Sequence, residues 1–136
     1  MPDKTEKDLI YLSDVQLELK EIYNELYSLE NTKRVLTALS EGETLEEIGR
    51  KMGVTRERVR QIEAKAIKKF CLWQIRNRIL LKVCASVNSD RELSCDTLRE
   101  YFGEYYSKTV FLLHLCENPT YHYDSQSDSF IIDKFN

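Results

Sequence analysis

Glycine and proline are scarce in this sequence, with four glycines and two prolines among 136 residues. Because these two residues supply most turn signals, their scarcity favours helices over many short strands. Long apolar runs are also missing: stretches such as Ile79–Leu81 and Val110–Leu113 are far below the ~20 residues of a membrane helix. Residues 1–8 lack the apolar centre of a secretion signal. We therefore expect a protein of the cytoplasm and its nucleoid, without a membrane partner.

Motifs for catalysis or metal binding are absent as well. No glycine-rich phosphate loop and no G-x-S-x-G segment occurs. The two histidines stand in no ligand spacing with the cysteines, of which no two are closer than eleven positions: Cys71, Cys84, Cys95 and Cys116. We expect these cysteines to be small core residues and form neither a zinc cluster nor a disulfide framework. The sequence thus predicts no enzyme, no cofactor and no metal.

The net charge of −3 conceals an uneven distribution. Residues 1–43 hold five Lys or Arg against ten Asp or Glu, residues 44–78 hold ten against four, and residues 79–136 hold five against nine. A basic centre between acidic flanks confines positive potential to one part of the surface. This pattern predicts that the middle of the chain binds nucleic acid.

The N-terminal residues 1–30 carry the pattern of an amphipathic helix. Ser13 and Gln16 have the spacing of a capping box, and apolar residues recur in steps of three and four along Leu12–Leu29. Two interpretations remain open. The helix either packs on its own domain or forms a short coiled coil that joins two copies of the chain.

Residues 31–70 fit a helix-turn-helix. Thr44 and Glu47 form a capping box for a helix that ends at Gly53, and Thr55 caps a second helix that runs to Phe70 or beyond. Gly53 can take the positive φ that a tight turn demands. The glycine at position 49 leaves room for a close crossing of the two helices. A tight turn between two capped helices is typical of major-groove readers.

The outward side chains of the second helix suit DNA. Arginine can pair with guanine, glutamine with adenine and glutamate with cytosine, whereas lysines farther along the helix would meet phosphates. We expect base reading by Arg56, Glu57, Arg60 and Gln61. We expect backbone contacts from Thr44, Thr55, Arg58, Lys65, Lys68 and Lys69.

The segment from Thr44 to Ala66 closely resembles region 4.2 of sigma-70-type sigma factors. In that family this element reads the upstream promoter hexamer and sits on the β-flap of RNA polymerase. By the resemblance, Arg56, Glu57, Arg60 and Gln61 fall on base-reading positions, and Arg58 and Lys65 on positions facing the backbone or a partner. The resemblance covers Val35 to Phe70, and the sigma regions that bind the polymerase clamp and melt DNA have no counterpart here.

Residues 71–136 resemble a winged helix in the order of their elements. An apolar helix after Phe70 is followed by helices starting at Ser94 and Ser107, and then by a hairpin around residues 124–129. The helix from Ser107 to Asn118 is apolar and mildly acidic, which favours packing or a protein partner over DNA. The expected fold is therefore mainly α, a sigma region 4-like helix-turn-helix with a three-helix and β-hairpin module.

Three functional hypotheses follow. The chain is a sequence-specific transcription regulator whose C-terminal module binds a partner or a second copy. Alternatively, it is a sigma-like subunit that brings a promoter-reading piece to RNA polymerase. The third hypothesis is the DNA-targeting domain of a larger enzyme or defence protein. All three share double-stranded DNA as the partner.

Overall fold

A computed structural model describes residues 6–116 and 120–133. The chain is mainly helical, with helices α1 (Glu6–Leu26), α2 (Glu30–Ser40), α3 (Leu45–Met52), α4 (Arg56–Asn77), α5 (Ile79–Ser86), α6 (Cys95–Phe102) and α7 (Tyr106–Leu115). Its strands are β1 (Glu92–Ser94), β2 (Tyr121–Asp124) and β3 (Ser129–Ile132). None of the helices in this part of the chain has the length and apolar character needed to cross a membrane.

Helices α2, α3 and α4 form the predicted helix-turn-helix around a small core of their own. That core consists of Val35, Ile48, Val59 and Ile62. The predicted ends are confirmed, since α3 stops immediately before Gly53 and α4 begins immediately after Thr55. Local capping and turn signals therefore determine where these two helices begin and end.

The chain beyond α4 has the element order of a winged helix, and we use that name for it. Its order is α5, β1, α6, α7, β2, β3, and the antiparallel sheet has the strand order β1–β3–β2. The predicted hairpin and the helix start at Ser94 are confirmed, with the Ser94 hydroxyl accepting from the Thr97 amide at 3.2 Å. Strand β1 is missing from the sequence-based prediction, because three residues are too few for an alternating pattern. The predicted end of α7 at Asn118 lies outside the described residues.

Helix α1 packs mainly against α5 and α6 of the winged helix. Val15, Leu19 and Ile22 are buried in the main core, and the Tyr23 hydroxyl shares a 2.8 Å hydrogen bond with Thr109 of α7. The apolar seam of α1 is thus packed within the chain, which supports the amphipathic-helix interpretation, and a homodimer through this helix stays a prediction. Position 13 lies inside α1, because the helix begins at Glu6 and not at the expected capping box.

Helix α4 belongs to both halves of the molecule. It runs without interruption through the boundary predicted at residue 70, and Ala66 and Phe70 pack in the main core. The break predicted after Phe70 occurs instead at Arg78, whose φ of 52° separates α4 from α5. A division into independent units at residues 30 and 70 stays a prediction.

A disulfide corrects the expectation of four free cysteines. Cys71 of α4 and Cys116 after α7 are bonded, with their Cα atoms 5.8 Å apart and a sequence separation of 45. Chain spacing gives no signal for a pair that only the crossing of two helices brings within bonding geometry. Cys84 and Cys95 are free and buried, as expected.

Candidate nucleic-acid interface

The turn between α3 and α4 determines how α4 is presented. Gly53 ends α3 with φ of 73°, a left-handed conformation that lacks the steric cost of a Cβ. A Cβ on Gly49 would lie 2.8 Å from the carbonyl oxygen of Val54. The sequence predicts Gly53 for the tight turn and Gly49 for a close crossing of the two helices. The close neighbour of Gly49 is the backbone of the turn and not the body of α4. The turn therefore lies directly on α3.

Two threonines cap the helices of the motif. The Thr55 hydroxyl accepts a hydrogen bond from the Arg58 amide at 3.1 Å. The Thr44 hydroxyl accepts from the Glu47 amide at 3.1 Å and donates to the Glu47 carboxylate at 3.0 Å. Caps of this kind each stabilise a helix by about 1 kcal/mol. The expected backbone contacts of both threonines stay predictions.

The four residues predicted to read bases are exposed on the first two turns of α4: Arg56, Glu57, Arg60 and Gln61. Arg60 donates two hydrogen bonds to the Glu57 carboxylate, from Nε at 2.9 Å and from Nη2 at 2.6 Å. These bonds lower the pKa of the Glu57 carboxyl and raise the pKa of the Arg60 guanidinium. Because both side chains are more than half exposed (56% and 59%), the pair orients two groups more than it stabilises the fold.

The other basic residues of α4 lie on two sides of this face. A groove between α4 and the α1–α2 connection is lined by Arg58, Gln61, Lys65 and Lys69. Lys68 instead lines the opposite groove together with Arg60. The structure therefore places Arg58 and Lys65 beside Gln61. The neighbouring lysines Lys68 and Lys69 lie on different sides of α4.

Lys69 is engaged within the protein. Its Nζ lies 2.8 Å from Oε1 of Glu25 on α1, and both side chains are about half exposed. This ion pair connects α1 to the helix that carries the predicted reading residues. A role of Lys69 toward DNA stays a prediction, and it would require the ammonium to share or exchange its carboxylate partner.

Comparison with known proteins assigns the motif. A family model described as "Sigma-70, region 4" matches residues 29–70. Residues 29–70 are thus similar to sigma-70 region 4, and we call them the region 4 segment. The RNA polymerase sigma factor SigA of Listeria monocytogenes is 60% identical over 43 residues, which are 30% of this chain and 12% of that protein. SigA of Listeria innocua matches with the same identity and coverage. No solved structure matches the chain.

The region 4 segment ends inside a helix. It starts at Leu29, directly before α2, and stops at Phe70, whereas α4 continues to Asn77. All ten predicted site residues lie within the segment, and the winged helix and α1 lie outside it. The chain spans 12% of the length of the two SigA relatives.

Two polar residues of the region 4 segment, Asn31 and Thr32, were not among the site residues predicted from the sequence. Asn31 and Thr32, in the first turn of α2, line the same groove as Arg58 and Gln61. The α2 N-cap residue, Leu29, makes no side-chain hydrogen bond to the helix end. The available signal was a pair of small polar residues directly before a basic pair, which is weak without the position of α4.

The winged helix carries two features that disfavour a second DNA-reading surface. Thr109, Leu112 and Leu113 of α7 are buried, and the turn between β2 and β3 is acidic. There the Tyr123 hydroxyl donates to Asp128 at 2.5 Å, which lowers the pKa of Asp128 and raises that of Tyr123 to about 12. A carboxylate that stays charged in the turn between β2 and β3, which forms the wing, would repel phosphates.

The described residues offer no metal centre. In residues 6–116 and 120–133, no group of three or more His, Cys, Asp or Glu side chains could hold an ion. His122 pairs with Asp133 at 2.9 Å, and His114 packs edge-on against the Tyr123 ring with centroids 5.0 Å apart. Both imidazoles therefore have protein neighbours.

Proposed function

We propose that this protein binds double-stranded DNA by placing the first two turns of α4 in the major groove, as a non-enzymatic promoter-reading factor. The observation that carries the proposal is the exposed row on a capped helix: Arg56, Glu57, Arg60 and Gln61. The left-handed residue Gly53 ends α3, and α4 begins three residues later. The 60% identity with SigA over 43 residues supports the same conclusion.

The chemistry of the row suits direct base recognition. An arginine can donate two hydrogen bonds to the O6 and N7 atoms of guanine, and a glutamine can pair with adenine in the same manner. The guanidinium of Arg60 is already held by two hydrogen bonds to the Glu57 carboxylate. The pair would enter the groove as a unit, in which the arginine donates to one base and the carboxylate accepts from a neighbouring cytosine.

The charge distribution supports duplex binding. The ten basic residues within 44–78 include Arg58, Lys65 and Lys68, exposed on α4. These side chains can meet phosphates on either side of the inserted helix end and fix its register. The acidic α1 and the acidic wing would point the basic face toward the DNA by repulsion.

Two versions of this function differ in the need for RNA polymerase. In one, the protein is a free-standing regulator; in the other, it is a sigma-like subunit that contacts the β-flap. The match to a protein described as an RNA polymerase sigma factor favours the second version. Both versions place the protein in the cytoplasm, at the nucleoid. Retention of the chain on purified core polymerase, with and without the polymerase flap, separates the two.

The test is fluorescence anisotropy on duplexes that carry a sigma-type upstream hexamer and on shuffled duplexes, across a salt series. We expect at least a tenfold preference for the hexamer, about 1.4 kcal/mol, and loss of this preference in Gln61→Ala. Gln126→Ala, an exposed glutamine of the wing turn, is the matched control and should keep the preference. Equal and steeply salt-dependent binding to all duplexes would reject base reading. No binding at low salt would reject the proposal.

A further inference from the structure

A groove runs along the outer face of α4 beyond its first turn. It encloses about 710 Å³ and is lined by Arg60, Glu63, Ala64, Ile67, Lys68, Cys71, Leu72, Ile75 and Leu115. Leu72 and Ile75 are 53% and 43% exposed. Exposed apolar side chains that adjoin each other in a groove, unlike single ones scattered over a surface, mark a binding surface.

Much of the apolar part of the groove lies outside the region 4 segment. Cys71, Leu72 and Ile75 follow the region 4 segment, which ends at residue 70, and Leu115 comes from the winged helix. The Cys71–Cys116 disulfide fastens the end of α7 beside α4. While this bond is formed, it joins the α4 side of the groove covalently to the end of α7.

The shape of the groove selects an elongated ligand. From Arg60 to Ile75 the lining covers about 22 Å of helix, at a rise of about 1.5 Å per residue. A helix of about four turns has this length, and an amphipathic helix laid in an apolar groove is a recurrent mode of protein recognition. A compact metabolite would leave most of this length uncovered.

The charge of the rim selects the sign of the partner. Arg60 and Lys68 are exposed, and Glu63, the single acidic lining residue, is less exposed than either. Glu57, which does not line the groove, takes two N–H groups of Arg60, so Lys68 and the remaining N–H groups of Arg60 are the donors open to a partner. A partner helix with carboxylates beside its apolar stripe would complement this rim. A second copy of this chain is the alternative occupant, and the test below distinguishes it by the oligomeric state.

We propose that the α4–α7 groove binds an acidic amphipathic helix of another protein. Because Arg60 and Lys68 belong both to the rim and to the predicted DNA contacts, the bound helix competes with DNA. The competition rests on the proposed DNA-binding function, whereas binding of the helix does not. The groove is thus a place at which a partner protein can regulate DNA reading.

The experiment uses the full chain and a fluorescein-labelled helical peptide of about four turns. The peptide carries leucines at i, i+4 and i+7 flanked by glutamates. Its controls are a peptide with the same composition and no apolar stripe and a peptide with lysine in place of each glutamate. Binding is measured by anisotropy without DNA, and competition is then measured against a labelled duplex.

Leu72→Ser combined with Ile75→Ser is the test variant, since both side chains are largely exposed and the fold should tolerate the change. Leu17→Ser, on α1 and 57% exposed, is the matched control. We expect the double variant to weaken binding of the acidic peptide at least tenfold and Leu17→Ser to leave that binding unchanged. The wild-type protein should bind both control peptides more weakly than the acidic peptide. Circular dichroism checks that the variants are folded.

Three outcomes would overturn the proposal. The first is equal binding of the acidic peptide and its controls, or none. The second is binding that the double variant does not change. The third is a concentration-dependent dimer of the wild type, seen by sedimentation velocity, that the double variant dissociates, which would assign the groove to a second copy. Peptide binding without any DNA binding would keep the groove and reject only the proposed DNA function.

Discussion

The guanidinium of Arg60 holds the carboxylate of Glu57 by two hydrogen bonds on the exposed face of α4, at 2.9 Å and 2.6 Å. The residues are three positions apart, so one turn of helix brings them together. This arrangement fixes the rotamers of two predicted base-reading residues before any DNA is bound. A side chain that is ordered in advance loses less conformational entropy on binding.

The pair predicts a pH dependence that can be measured at a single carboxyl. The hydrogen bonds from Arg60 lower the pKa of Glu57, so any stability from the pair is present above the unfolded-state pKa and is lost as pH falls through the folded one. We expect an NMR titration of the Glu57 side chain to give a pKa below that of an ordinary glutamate. Arg60→Gln should raise it toward the ordinary value, whereas Arg99→Gln, at a similar pair with Asp96 on α6, should leave it unchanged. A Glu57 pKa that does not respond to Arg60→Gln would contradict the pairing.

Gly49→Ala tests the close approach of the turn to α3. An alanine usually stabilises a helix interior by about 1 kcal/mol relative to glycine. Here its Cβ would come within 2.8 Å of the Val54 carbonyl oxygen, and overpacking of this kind costs about 1–3 kcal/mol. We expect a lower midpoint in urea unfolding and weaker DNA binding, because the turn must move α4. A higher midpoint would mean that the site is open and that the geometry of the turn is wrong.

The two neighbouring lysines are expected to respond differently to salt. Lys68 is exposed on α4, whereas Lys69 pairs with Glu25 at 2.8 Å. Under the proposed function, Lys68→Ala should reduce the slope of log K against log salt by about 1, and Lys69→Ala should reduce it less. Glu25→Gln should increase the contribution of Lys69 and tighten DNA binding. Equal slopes for both lysine variants would contradict a structural role of the Glu25 pair.

The region that sequence reasoning predicted best is the one held by local interactions. Thr44, Thr55 and Gly53 each act within a few residues, through a cap or a left-handed turn. Their sequence patterns therefore specify the helix ends directly. The hairpin of β2 and β3 is local in the same sense, and it too was predicted from its two apolar runs.

Contacts between distant parts of the chain could not be predicted in this way. Helix α1 carries a heptad-like seam, and the pattern alone cannot say whether that seam meets a second copy or, as here, α5 and α6. The Glu25–Lys69 pair and the α4–α7 groove likewise depend on where α1 and α7 lie against α4. Such positions follow from packing of the whole chain, which a periodic pattern does not specify.

The Cys71–Cys116 bond predicts that reduction destabilises the fold. A cross-link over a sequence separation of 45 restricts the unfolded chain and should stabilise the protein by about 4 kcal/mol in the chain-entropy model. Urea unfolding with and without a dithiol reductant measures this difference. The Cys71→Ser, Cys116→Ser double variant should have the stability of the reduced protein, and the reductant should not change it.

The order in which the thiols react tests the burial of Cys84. Burial raises the pKa of the Cys84 thiol to about 11, so alkylation of the reduced native protein should reach Cys71, which is half-buried, before Cys84. Four reactive thiols in unfolded, unreduced protein would show that the bond is absent.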